Sequence, residues 1–230
     1  GAAMTRLYGL EVHSMLVEIP TPGARLEAYL SIPDGARSAI IFAQGRGSSR
    51  QNAVDTVLAT SFQHTGMATL LLDLYTPAEL EQDMQDAHMR FNTQLLGERL
   101  TNVVDWTVHN ATTQRMELGI MAASTGGAAA MVAAASRPEA IVAIACRAAR
   151  PDLAGPTLRY VHTPTLLVVG GNDLLVRKFN ETALDQMPAV GRIVTLPGVG
   201  HDFTEPGALE SLVSITTDFF SERLAQNRAI

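Results

Sequence analysis

Five short apolar stretches constrain what this chain can fold into: residues 38–43 (SAIIFA), 68–72 (ATLLL), 117–123 (ELGIMAA), 140–145 (AIVAIA) and 165–169 (TLLVV). None alternates polar with apolar residues, which is the pattern of a strand buried on both faces. Helical patterns separate them. One runs from Ala53 through Phe62 to Gly66, a polar one over 78–88, and a longer one over 91–109 with Leu95, Leu96, Leu100, Val103, Val104 and Trp106. An alanine-rich run follows residue 124, a short helix is expected near 180–187, a strand at 192–196 and a last helix over 206–225. Strands alternating with helices require a mostly parallel sheet covered by helices on both faces, with right-handed crossovers. Ahead of that unit, residues 10–19 and 25–32 do alternate, around Pro20-Thr21-Pro22-Gly23, and predict an antiparallel N-terminal hairpin. The expected class is therefore α/β. No repeat or linker divides the chain, so one domain is expected over 5–230, with residues 1–4 read as an expression remnant ending in a natural start Met.

In such a sheet, ligands gather at the carboxyl ends of the strands, so the residues just after each apolar run are the ones that can meet. At residues 122–127 (AASTGG) the strand breaks into a turn and then a helix. A Ser flanked by small residues at this place can adopt a strained backbone that lifts Oγ clear of the sheet. A Ser is a poor nucleophile at neutral pH and needs a base, and the base needs a carboxylate to fix its tautomer. His201 is the candidate base and Asp173 the candidate orienter, each in the loop after a strand. The other histidines fall in the hairpin, near helix ends, in the polar insert or before a strand. The oxyanion donors expected are the Thr125 N–H and one from the loop at Gln44-Gly45-Arg46-Gly47, either Arg46 or Gly47. Gln44 and Arg147 are expected to line the substrate. Residues 76–90 are short and polar and predict a small lid, hence short acyl groups.

The net charge of −6 and the interleaving of acidic residues with the arginines argue against a nucleic-acid surface. Lys178 is the only lysine, so Arg46, Arg90, Arg147 and Arg150 supply the cations expected near the site and suggest an anionic small-molecule substrate. A single cysteine, Cys146, excludes an internal disulfide and fits a reducing, cytoplasmic setting; it is read as a buried small hydrophobe. No Cys/His cluster, dinucleotide fingerprint or phosphate loop occurs, so neither metal nor cofactor is expected. No leader or membrane-spanning run is apparent, and the oligomeric state is left open, homo-oligomers included.

With these residues in place, the chain resembles the α/β-hydrolase superfamily, and within it the serine-bearing members of the dienelactone hydrolase-like branch. The resemblance runs from about Glu11 to the last helix and rests on GRGSSR at 45–50, ASTG at 123–126, RPDLAG at 150–155, GGND at 170–173 and Gly200-His201. It implies the α/β-hydrolase fold and a cofactor-free ester, lactone or thioester hydrolase with Ser124, Asp173 and His201 in that order. Two departures stand out: Gln44 where such members usually carry His, and Ala122 where they carry Gly. They motivate the alternative reading of a non-catalytic binding protein on the same fold.

Overall fold

The computed structural model describes residues 1–7 and 9–226. Among these residues nine strands form one sheet in the order β1-β2-β3-β5-β4-β6-β7-β8-β9. The strands are β1 (Ala3–Leu7), β2 (Leu10–Thr21), β3 (Ala24–Pro33), β4 (Ser38–Gln44), β5 (Ala68–Leu72), β6 (Glu117–Ser124), β7 (Ile141–Ala149), β8 (Thr165–Gly170) and β9 (Gly191–Leu196). From β5 across to β9 every pairing is parallel, whereas β1, β2 and β3 join each other and β5 antiparallel. The expected α/β architecture, a mostly parallel sheet behind an antiparallel hairpin, is the one observed.

Among the described residues there are six α-helices, of which the first five lie between strands and the last follows β9: α1 (Ala53–His64), α2 (Pro77–Asp86), α3 (Thr93–His109), α4 (Gly126–Ser136), α5 (Leu174–Gln186) and α6 (Ala208–Arg223). Two apolar cores result, one on each face. Leu58 and Phe62 of α1 meet Leu212, Phe219 and Phe220 of α6 over one face, with the Phe62 and Phe220 rings edge to face at 5.4 Å. The other core takes Leu96, Leu100 and Val103 from α3, the alanines of α4 and Ala183 of α5. Each large side chain so buried contributes about 1.5–3 kcal/mol. The alanines set how near the helices approach. A Cβ on Gly97 of α3 would fall 2.5 Å from Val132 of α4, so these two helices are in backbone-close contact.

Three boundaries differ from the sequence expectation. Ala3 and Met4, set aside above, belong to β1 and pair with Ser14 and His13. That strand is almost wholly exposed, so no apolar pattern marks it. Helix α5 begins at Leu174 rather than near 180; Leu174 and Leu175 are 70% and 63% exposed, so its first turn carries no buried stripe. Strand β7 extends to Ala149, which places Arg147 inside the sheet and not in the loop after it. A charge can stay there because the Arg147 guanidinium donates to Asp55 Oδ1 at 2.8 Å and Asn52 Oδ1 at 3.1 Å. After β7 the chain forms 3₁₀ turns over Pro151–Tyr160, broken at Gly155.

Candidate active site

Ser124 ends β6 with φ of 54°, a left-handed conformation that non-glycine residues rarely adopt. The next residues open α4, so Oγ is lifted off the sheet at a helix N-terminus. Two glycines make this possible. A Cβ on Gly126 would lie 2.0 Å from the Ala43 carbonyl oxygen, and one on Gly45 would lie 2.1 Å from Thr125 Oγ1. The β4 loop and the Ser124 turn therefore interlock through bare backbone. Ala122 keeps its place in register with Ala43 and Cys146 and joins the core, so its methyl is accommodated without displacing the turn. Neighbouring strand β7 yields at the same level. The ladder skips Ala148, itself at φ of 43°, and the Arg150 N–H donates to the Ser124 carbonyl at 2.8 Å.

Asp173 precedes α5, yet its carboxylate makes no capping bond to that helix. It turns instead to His201, where Nδ1 and Asp173 Oδ2 are 2.6 Å apart. An ionised carboxylate only accepts, so Nδ1 carries the proton and Nε2 is left as the basic nitrogen. The turn bearing His201 approaches through Gly170, where a Cβ would fall 2.3 Å from the Val199 carbonyl oxygen. The Gly200 N–H donates to Glu205 Oε1 at 2.9 Å, which holds that turn from the other side.

Ser124 and His201 share one cleft of about 280 Å³ with Gln44, Arg46, Thr125 and Arg147. Among the described residues no hydrogen bond links Ser124 Oγ to His201. Nucleophile–base contacts of this kind are often long until substrate tightens them. Asp73, another carboxylate at a strand end, is engaged elsewhere. It accepts from the Ser48 hydroxyl and from Arg50 Nε at 2.8 Å. Cys146 is fully buried one strand away, and burial pushes its thiol up to about 12, so it is no nucleophile.

The oxyanion loop differs in detail from expectation. The Arg46 N–H donates to Gln44 Oε1 at 3.1 Å and is thereby occupied. Gly47 lines an adjoining cavity of about 460 Å³ beneath α2, with Ser48, Leu80 and Met84. The four arginines do converge: Arg46, Arg90, Arg147 and Arg150 all line the Ser124 cleft. Three of them carry their own carboxylates, however. Arg90 pairs with Asp83, Arg147 with Asp55 and Arg150 with Asp152. Only Arg46, exposed at the loop, lacks such a partner among the described residues. Asn52, Phe91, Ala148, Val176 and Asp202 also line the cleft and were not anticipated. Asn52 had a legible signal, since it caps α1 by accepting from the Asp55 N–H at 3.0 Å. Nothing in the sequence marks Ala148.

Comparison with known proteins gives the family and the fold. Residues 26–222 match the model of the dienelactone hydrolase family. A dienelactone hydrolase of Anabaena variabilis is 43% identical, with a TM-score of 0.88 over 92% of this chain and 98% of its own. Est1E of Butyrivibrio proteoclasticus shares the fold at 18% identity, with a TM-score of 0.74 over 90% of this chain and 98% of its own. A Mycobacterium tuberculosis protein described as a putative phosphoribosyl transferase is 37% identical over 223 residues, 97% of this chain and 48% of its own length. The chain thus spans about half the length of the curated relatives it matches.

Proposed function

Since the chain belongs to the dienelactone hydrolase family, we propose that it is a serine hydrolase cleaving a small carboxylic ester, lactone or thioester through an acyl-enzyme. The observation that carries this reading is His201, 2.6 Å from Asp173, lining the same cleft as a Ser124 held at φ of 54°. Ser124 Oγ attacks the acyl carbon as His201 Nε2 takes its proton, and Asp173 stabilises the imidazolium. The carbonyl π electrons move to oxygen, where the Thr125 N–H at the start of α4 receives the charge. Collapse expels the alcohol, thiol or ring oxygen, protonated by His201. Water, deprotonated by the same nitrogen, then frees the acid and restores Ser124.

The cleft's size and the shortness of α2 support short acyl groups. Any preference for an anionic substrate falls on Arg46, because the other three cleft arginines are compensated. One observation favours the second reading, a non-catalytic binding protein: the engaged Arg46 N–H leaves the oxyanion loop short of a backbone donor. Hydrolysis of p-nitrophenyl esters from acetate to decanoate separates the two. The enzyme reading expects turnover greatest for the short esters, and a loss on the order of 10⁴ or more in kcat for Ser124→Ala and His201→Ala. A folded protein that turns over no ester, or one whose rate survives Ser124→Ala, contradicts it.

A further inference from the structure

We propose that the Gln44 side-chain amide is the second oxyanion donor of this site, presenting Nε2–H to the developing negative charge while the Arg46 N–H holds its Oε1. The inference rests on the acyl-transfer reading above.

A backbone N–H can only donate, so the carboxamide atom against Arg46 N at 3.1 Å must be the oxygen, and both hydrogens of Nε2 lie on the other branch. Among the described residues Nε2 donates to no protein atom, and it is not one of the sealed, unpartnered polar atoms of the interior. Gln44 as a whole is only 4% exposed, yet it lines the cleft beside Ser124 and Thr125. Its place in the sheet explains why. Gln44 is the last residue of β4 and stands in register with Ala123, the residue before Ser124.

The surrounding backbone cannot supply the missing donor instead. The Gly45 N–H is bonded to the Ala123 carbonyl at 3.2 Å. The Gly45 carbonyl accepts from Tyr75 Oη at 2.7 Å and from Thr125 Oγ1 at 3.3 Å. With its N–H and carbonyl both bonded and its Cα pressed against Thr125 and Gly126, Gly45 has no room to turn either group toward the cleft. The Arg46 N–H is spent on Gln44, and Gly47 belongs to the wall of the neighbouring cavity. Gln44 Nε2 is therefore the donor that the β4 loop offers to the cleft. The Arg46 N–H on Oε1 also polarises the carboxamide, which strengthens Nε2–H as a donor and fixes its aim before substrate arrives.

The test compares Gln44→Glu, Gln44→Met and Gln44→His with wild type. Glu keeps the acceptor for the Arg46 N–H and removes the donor; Met removes both; His restores an N–H. The expected result for Glu and Met is a fall of about 10²–10³ in kcat toward p-nitrophenyl acetate with KM nearly unchanged. Phenylboronic acid, which forms a tetrahedral adduct on Ser124, should lose affinity in parallel, and His should recover part of both. Thermal melting shows whether each variant is folded, and Glu carries the test if Met is not. A Gln44→Glu variant within about threefold of wild type in kcat and boronate affinity overturns the inference, as does a rise in kcat, which would make the carboxamide an obstruction. Fluorophosphonate labelling of wild type keeps the two levels apart. A wild type that labels at Ser124 beside unaffected Gln44 variants removes this inference alone, whereas one that never labels removes the hydrolase reading and this with it.

Discussion

Arg147 shows how a residue's chemistry depends on what the fold places beside it. Its type and position in sequence suggested a substrate cation, but β7 carries it into the sheet, where it is 7% exposed and bonded to Asp55 and Asn52. Asp55 is 3% exposed, so solvent has little access to replace that partner. Removing one side of a buried ion pair leaves the other charge uncompensated, at about 3–5 kcal/mol. Arg147→Ala should therefore lower unfolding free energy by about that much in urea, and Arg147→Met with Asp55→Leu should recover much of it. A loss under about 1 kcal/mol for the single variant would show the pair to be loosely coupled to folding. The sequence could not announce this pairing, because Asp55 lies 92 residues away. The positions of Ser124, Asp173 and His201 were legible for the opposite reason. Ser124 ends an apolar run and the other two lie in the loops that follow one, so their places at the sheet edge follow from the runs themselves.

Helix α2 is an element whose start is written locally. Thr76-Pro77-Ala78-Glu79 forms a capping box: Thr76 Oγ1 accepts from the Glu79 N–H at 3.3 Å, and Glu79 Oε2 from the Thr76 N–H at 2.9 Å. What the local signal could not give is the long-range clamp on the same residue. Arg99 of α3 donates to both Glu79 oxygens, at 2.6 and 2.8 Å, and to the Leu74 carbonyl at 2.9 Å, tying α2 to the interior. Those Arg99 hydrogen bonds hold the Glu79 carboxyl below the usual glutamate range, against the opposing effect of burial. A carboxyl with a depressed folded pKa stabilises the fold above its unfolded pKa, and that stability is lost as pH falls through the folded value. At neutral pH Glu79→Gln should therefore melt below wild type. The gap should narrow as pH drops below about 4.3, where unfolded glutamate takes up its proton. A gap that stays constant from neutral into acid would refute the clamp. Elements without a buried stripe, β1 and the first turn of α5, were the ones the sequence did not mark.

At the scale of the whole molecule, the candidate site exists only because the sheet is assembled. Ser124, Gln44, Asp173 and His201 come from four different connections, and the order β4-β6-β7-β8-β9 brings those strand ends to one edge. Strand order was beyond the sequence reading, since apolar runs fix which residues are buried and not which runs are neighbours. The fold class was legible because six parallel strands leave no other way to cover both faces. Fluorophosphonate labelling, located by peptide mass mapping, interrogates that assembly directly, because a Ser reacts only when base, orienter and oxyanion donor converge on it. The account predicts one adduct, on Ser124 of the native protein, with none on the urea-unfolded chain or on Ser124→Ala. A native protein that stays unmodified, or an adduct on any other residue, would contradict it.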